Sequence, residues 1–550
     1  MKKLLSLLLV AALAVSLLMA IPAASADSAY TDDTFVFLAS GPVTLNPLQS
    51  QSSNDTDVFY LIYTTLVRMY QDEVEMDGAE SVTANDDATE FVFKIRDGIK
   101  YTNGDPVTAE DYSYYFQATL DPAFGSPNAG DWYMVENAEA FANGECAWED
   151  VGIKVGEDNT LTFTLNRSFA DFVTYMASDF VVPLQAGFVA EKGDAMGSSI
   201  ENILSCGPYV LTDWVLETSL TFEKNPEYWN AENSFFVQHV EALEIDNANT
   251  KVSMYEDGTA DAMMVVPVEY LGMMLDEVIT QPTGGINMLW LNGSNKSSTL
   301  SAEEQAAHSA IMDNANFGLA LSYALNRQAI VDATYTGAIP AVRLVSDIFA
   351  VDGVTFSEKY PVDYVGVTGD TAKAQEYLAA ALAELGYSDA SELPTLSYVT
   401  YENSSQKNLA EAIIDTWKKV LGVNVQLEQY NIGTAIGMFY TGAFDMFNIG
   451  IECGVYSYYL MQSFIPGGDY ANGCWNNDEF NAIIEQAMYT GSPDEALDLA
   501  AQAEEIMLSD AGVLPIFYQG SAHVSHEWVE NYAVSTLGAG WQINYVHVSK

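Results

Sequence analysis

The sequence predicts an α/β chain of more than one domain, and three observations carry that prediction. At 550 residues it is longer than a single hydrophobic core normally serves. In its second half helices alternate with strands. An alanine-rich stretch over 371–385, stopped by Gly386, leads into an extended run at 396–401, and a helical stretch over 405–421, stopped by Gly422, leads into another at 423–429. In its first half, β-prone runs come in pairs around turn residues. Hydrophobic content of 49% and aromatic content of 12% suffice to fill more than one core.

The chain starts with Lys2-Lys3, an apolar run over 4–21 and Ala24-Ser25-Ala26. That is the pattern of a cleaved signal peptide over 1–26. No cysteine follows the apolar run, so no lipid-anchor motif is expected there, and no later run of about 18 apolar residues predicts a membrane span. The formal net charge is −56, a sign that repels nucleic acid and anionic membrane faces and suits solubility outside the cell. Cys146, Cys206, Cys453 and Cys474 allow two bridges in three connectivities, or buried free thiols.

Taken in order, 34–39 alternates as a strand and Gly41-Pro42 breaks it. Residues 57–69 place Val58, Leu61, Ile62, Thr65 and Leu66 at helical spacing. A strand over 90–100 ends at the Asn103-Gly104 turn. Thr108-Ala109-Glu110-Asp111 is a capping box that opens a helix to Leu120. Residues 152–165 read as a hairpin turning on Glu157-Asp158-Asn159, and 206–229 as a second hairpin, entered through Gly207-Pro208 and closed by Asn225-Pro226. A strand follows at 240–245. Residues 281–291 are extended and cross Gly284-Gly285, a pair able to absorb the dihedral changes of a hinge. Ser301-Ala302-Glu303-Glu304 is another capping box, 316–335 an amphipathic helix or helix pair, and Ser492-Pro493-Asp494-Glu495 the start of a helix to about Leu508. A strand at 514–518 then returns towards the first half.

Several of these strings resemble family 5 extracytoplasmic solute-binding proteins, the oligopeptide and dipeptide receptors of ABC importers. Gly207-Pro208-Tyr209, Trp214 and Asn225-Pro226-Glu227-Tyr228-Trp229 are similar to the family's "GPY…W…NPxYW". FKIRDGIKYTNGDPVTAED over 93–111 matches its longest string almost without a gap, and Leu45-Asn46-Pro47, NFGLALSYALNRQAIV over 316–331 and LPIFY over 514–518 match shorter ones. The resemblance implies a periplasmic-binding-protein-like type II fold, two hinged α/β lobes with an extra third subdomain. It implies a first lobe from 27–57, 205–284 and 520–550, a subdomain inserted over 58–204, and a second lobe over 285–519. It also implies a monomeric receptor without cofactor, working with ABC permease subunits and their ATPases and holding an extended peptide by main-chain hydrogen bonds.

The site residues come from the same resemblance. Peptide-binding members place an aspartate in a "WxxDxxxP" segment against the ligand's α-ammonium, and Glu452 falls at that position. The departures are Ile449 in place of the tryptophan, an acid one methylene longer, and no proline. Cys453, Tyr456, Tyr458 and Tyr459 beside Glu452, and Asn46 in the first lobe, are the further ligand-side candidates; some relatives carry a bridge in the region of Cys474, and Cys453–Cys474 is the pair expected from that. Dipeptide-specific members carry an arginine where this chain reads Val399-Thr400-Tyr401-Glu402-Asn403, so longer peptides are expected. Oligosaccharide or metal-complex cargo is the alternative within the class. An exported hydrolase is the alternative outside it, although no HExxH or GxSxG occurs. His523 and His526 lie three apart in an expected strand, on opposite faces, which makes a poor metal chelate.

Overall fold

The computed structural model describes residues 33–550 apart from 72, 179, 275–276, 335–337, 348–353, 362–364, 453–456, 467, 469–473 and 535–539. The expected signal peptide over 1–26 lies outside the described residues.

In chain order the strands are β1 (Thr34–Ala39), β2 (Val67–Tyr70), β3 (Glu73–Met76), β4 (Ala79–Ala84), β5 (Glu90–Ile95), β6 (Ile153–Gly156), β7 (Thr160–Thr164), β8 (Tyr209–Val215), β9 (Ser219–Lys224), β10 (His239–Glu244), β11 (Ala262–Met263), β12 (Ile279–Leu291), β13 (Ile339–Pro340), β14 (Leu396–Tyr401), β15 (Val425–Tyr430), β16 (Met446–Glu452) and β17 (Val513–Ser525). One large sheet runs β15-β14-β16-β12-β17-β11-β1-β10-β9-β8, with β13 pairing β17 off that path, and β4-β5-β7-β6 form a separate four-stranded sheet. The fold is the expected mixed α/β.

The long antiparallel pair β12 and β17 organises it. The first part of β12 pairs with the end of β17, Ile279 opposite His523 and Gln281 opposite Ser521. Its later part pairs with the start of β17, Trp290 opposite Val513. Between Pro282 and Ile286 the register shifts, at the Gly284-Gly285 pair. On one side β17 continues into β11, β1 and β10; on the other, β12 continues into β16 and β14.

The local chemistry explains most elements. The Asp111 carboxylate accepts from both the backbone N–H and the hydroxyl of Thr108, starting the helix Ala109–Leu120. Ser301 and Glu304 cap Ala302–Met312 reciprocally. Gly386, at φ 81°, closes Thr371–Leu385 in the left-handed conformation that glycine tolerates best. The 316–335 segment resolves as two helices, Ala315–Ala324 and Arg327–Thr334.

Two expectations need correction. The helix expected over 57–69 occupies Ser53–Ile62 instead, and 67–70 is β2. Cys206 and Gly207 donate their backbone N–H groups to the Ile62 carbonyl, taking an acceptor at the helix end, while Val67–Tyr70 gains a ladder with β3. The strand expected over 90–100 stops at Ile95. Gly98 there turns the chain at φ 88°, and Val107 returns its N–H to the Ile99 carbonyl.

Candidate functional site

The sheet splits at the end of β14, and a crevice opens there. β14 and β15 run parallel through Tyr401 and Tyr430, but the parallel ladder between β14 and β16 covers only Tyr398–Met446 and Val399–Phe447. Beyond Phe447, β16 keeps its antiparallel ladder to β12 as far as Glu452, which sits opposite Gly285. Crevices at the carboxyl ends of parallel strands are the usual ligand sites of open α/β sheets.

A cavity of about 320 Å³ occupies this crevice, lined among others by Asn287, Tyr401, Asn403, Gln406, Phe517 and Gln519. Among the described residues no charged side chain lines it. Its floor is the sheet: Asn287 lies directly opposite Phe517 across the β12–β17 ladder. Its wall is the first turn of the helix Ser404–Val420, where the Asn403 side chain accepts from the backbone N–H groups of Ser405 and Gln406. Gln519 sits at the break in the β12–β17 register. A Cβ on Gly285 would come within 2.7 Å of its Oε1, and a Cβ on Gly450 would collide with its Nε2. The two glycines therefore leave room for the Gln519 amide to lie flat across three strands.

Behind Asn287 the polarity continues into the sheet. Asn448, 0% exposed, donates its Nδ2 to Asn287 Oδ1 at 2.8 Å and to the Met288 carbonyl at 2.9 Å. Among the described residues its buried Oδ1 accepts no hydrogen bond, and neither does Gln406 Oε1. Buried acceptors left open cost about 1–3 kcal/mol each.

The approach to β16 is built differently. Asp445, just before the strand, is buried and accepts from His308 Nδ1 at 2.9 Å, from Asn295 Nδ2 at 2.6 Å, and from the Ser397 backbone N–H and hydroxyl at 2.7 and 3.1 Å. The hydrogen bond to Asp445 holds the His308 imidazole above its usual pKa, against the opposing effect of burial. This network pins the start of β16 to β14 and to the helix Ala302–Met312.

The residues singled out from the sequence fare unevenly. Glu452 ends β16, and its side chain, with Cys453 and Tyr456, lies outside the described residues; the Cys453–Cys474 pairing lies there with them. Tyr458 is buried in the core and Tyr459 half-buried, and neither lines the crevice. Asn46 serves a turn, its Oδ1 accepting from the Leu48 N–H at 3.0 Å. Trp229 donates to Asp77 and carries Arg96 over its ring. Burial pushes His523 down to about 4. The His526 ring is sandwiched between Tyr255 and Trp528 at 4.1 and 4.0 Å. Among the described residues no group of His, Cys, Asp and Glu could hold a metal ion, and no helix is long and apolar enough to cross a membrane. The sequence reading missed Asn287, Gln406, Asn448 and Gln519. The available signal was glycine inside strands, at 285 and 450.

Comparison with known proteins agrees with this architecture. Residues 73–458 match the family described as "Bacterial extracellular solute-binding proteins, family 5 Middle". The oligopeptide-binding protein OppA of Bacillus subtilis is 28% identical over 88% of this chain and 87% of its own length. Among solved structures, the unliganded open form of the murein tripeptide-binding protein MppA superposes with a TM-score of 0.78 at 22% identity, covering 94% of this chain and 98% of that one. Listeria monocytogenes OppA bound to peptide gives 0.68 at 21% identity, covering 94% and 99%.

Proposed function

The chain belongs to the family 5 bacterial extracellular solute-binding proteins, and from that premise we propose that it captures oligopeptides in the crevice between its lobes. It is a binding receptor, not an enzyme, and it acts outside the cytoplasm for an ABC importer. Its partners are therefore the importer's permease and ATPase subunits; that it works as a monomer is part of the proposal.

The observation that carries the peptide reading is the split in the sheet. From Ile449 to Glu452, β16 is paired with β12 on one edge while its ladder to β14 has ended at Phe447. An extended peptide can add to that edge as a strand, held by main-chain hydrogen bonds that are indifferent to its sequence. The name of the Bacillus subtilis relative supports the same cargo. Glu452 stands at the end of this edge, where it would pair with the ligand's α-ammonium.

The lobes of this reading are 27–57 with 205–284 and 520–550, and 285–519, with 58–204 inserted into the first. β12 and β17 cross between them, and the break at Pro282–Ile286 is the flexing point. Closure then buries the peptide, and the differential affinity of the closed state drives the motion.

Calorimetric titration with oligopeptides of increasing length tests this. Saturable binding by tri- and longer peptides, with little response to matched oligosaccharides, is the expected result. Binding of sugars and no peptides would overturn the cargo assignment while leaving the receptor role in place.

A further inference from the structure

We propose that the crevice beside Gln519 is a selective subsite for an uncharged, hydrogen-bond-donating group of the ligand, such as the primary amide of a glutamine or asparagine side chain. The inference rests on the peptide reading above and specifies which peptides the receptor prefers.

Three features point to this. First, the chain carries 76 acidic residues, yet among the described residues the cavity is lined by amides, hydroxyls and the rings of Tyr401 and Phe517 without a charge, the acid of the peptide reading, Glu452, standing at the end of β16. A charged ligand group entering it would lose water and find no counter-ion, a cost that a neutral polar group avoids. Second, the amides are held in place. Gln519 lies across Gly285 and Gly450, Asn287 is anchored by Asn448, and Gln406, 5% exposed, meets the Tyr401 hydroxyl through Nε2 at 3.2 Å. Third, acceptors outnumber the donors offered to them. Gln406 Oε1 and Asn448 Oδ1 are buried without a hydrogen bond. A ligand N–H or O–H reaching the Gln406 end, with a small side-chain rotation, supplies what is missing. A carboxylate cannot. Sites built to hydrogen-bond a particular group discriminate strongly against analogues that lack it, because the site's own polar atoms are then left unpaired.

The test uses the full-length mature protein and alanine-based tetrapeptides that carry Gln, Glu or Lys at one position in turn. Calorimetry should find one position at which the Gln peptide binds about tenfold or more tighter than both the Glu and the Lys peptides. Gln406→Glu should invert that ranking in favour of Lys at the same position. Gly450→Ala, whose Cβ would meet the Gln519 amide, should abolish the ranking of Gln over Glu and Lys at that position.

Affinities within about twofold at every position, or a Gln406→Glu protein with an unchanged ranking, would overturn the subsite. In either case peptides are still bound, so the peptide reading survives. Binding of none of the peptides would overturn that reading, and the subsite with it.

Discussion

Buried polarity is handled in two opposite ways in this molecule. Between β3 and β4, Asp77 is 0% exposed, and its two oxygens together accept from Arg68, Thr65, Tyr228 and Trp229. In the second half, the buried Glu504 takes Arg343 at 2.5 Å and the backbone N–H groups of Leu344 and Val345 at 2.6 and 2.8 Å. These charges are paired and their carboxylate oxygens are filled, with only Arg343 Nε left without a hydrogen bond. Among the described residues in and behind the crevice the buried polar groups are neutral, and two acceptors, Gln406 Oε1 at its wall and Asn448 Oδ1 behind Asn287, are open. Saturated networks fix a structure, whereas open ones keep bonding capacity for something that arrives later.

Removing a member of a saturated network should therefore have the largest effect. Asp77→Ala leaves the Arg68 guanidinium, 3% exposed, without its counter-ion and strips the Tyr228 and Trp229 donors. We expect a loss of about 3–5 kcal/mol of stability in urea unfolding. A loss under about 1 kcal/mol would mean that the cluster is not the structural anchor its geometry indicates.

Next comes the opposite test. Glu452→Gln should weaken peptide binding by about ten- to a hundredfold, the scale of a lost charge-assisted hydrogen bond, with the unliganded melting temperature nearly unchanged. Unaltered affinity by calorimetry would remove Glu452 as the amine partner. Gln519→Ala should also cost affinity, by about tenfold, again with little change in unliganded melting. A large drop in melting temperature instead would make Gln519 a structural residue rather than a ligand-facing one.

The smallest expected effect is in pH dependence. His308 gains its partner on folding, so its folded pKa lies above its unfolded one. Its contribution is full below the unfolded value of about 6.5 and is lost as pH rises through the higher folded value. Melting temperatures of His308→Gln and the parent should therefore differ most in mildly acid buffer and converge towards pH 9. A gap that widened with rising pH would contradict that assignment.

The fold was readable because its signals are local. Capping boxes at Thr108 and Ser301, the Gly386 stop and the 152–165 hairpin each involve neighbours within a few residues. The expected helix over 57–69 overran because Leu66 continues its apolar spacing, and nothing nearby announces that Cys206 and Gly207 cap the helix at Ile62 from some 140 residues away. The crevice was illegible for the same reason. Asn287, Gln406, Asn448 and Gln519 are four ordinary amides on four elements, and only the sheet register and one helix start bring them together. Glycines at 285 and 450 were the trace they left in the sequence.

The most direct test of the account is mass spectrometry of the small molecules released when freshly purified protein is denatured. Closure slows ligand exit, so bound cargo should survive purification. The expected release is a ladder of peptides of several lengths, enriched in glutamine or asparagine at a fixed distance from the amino terminus. Release of sugars or other non-peptide cargo would contradict it.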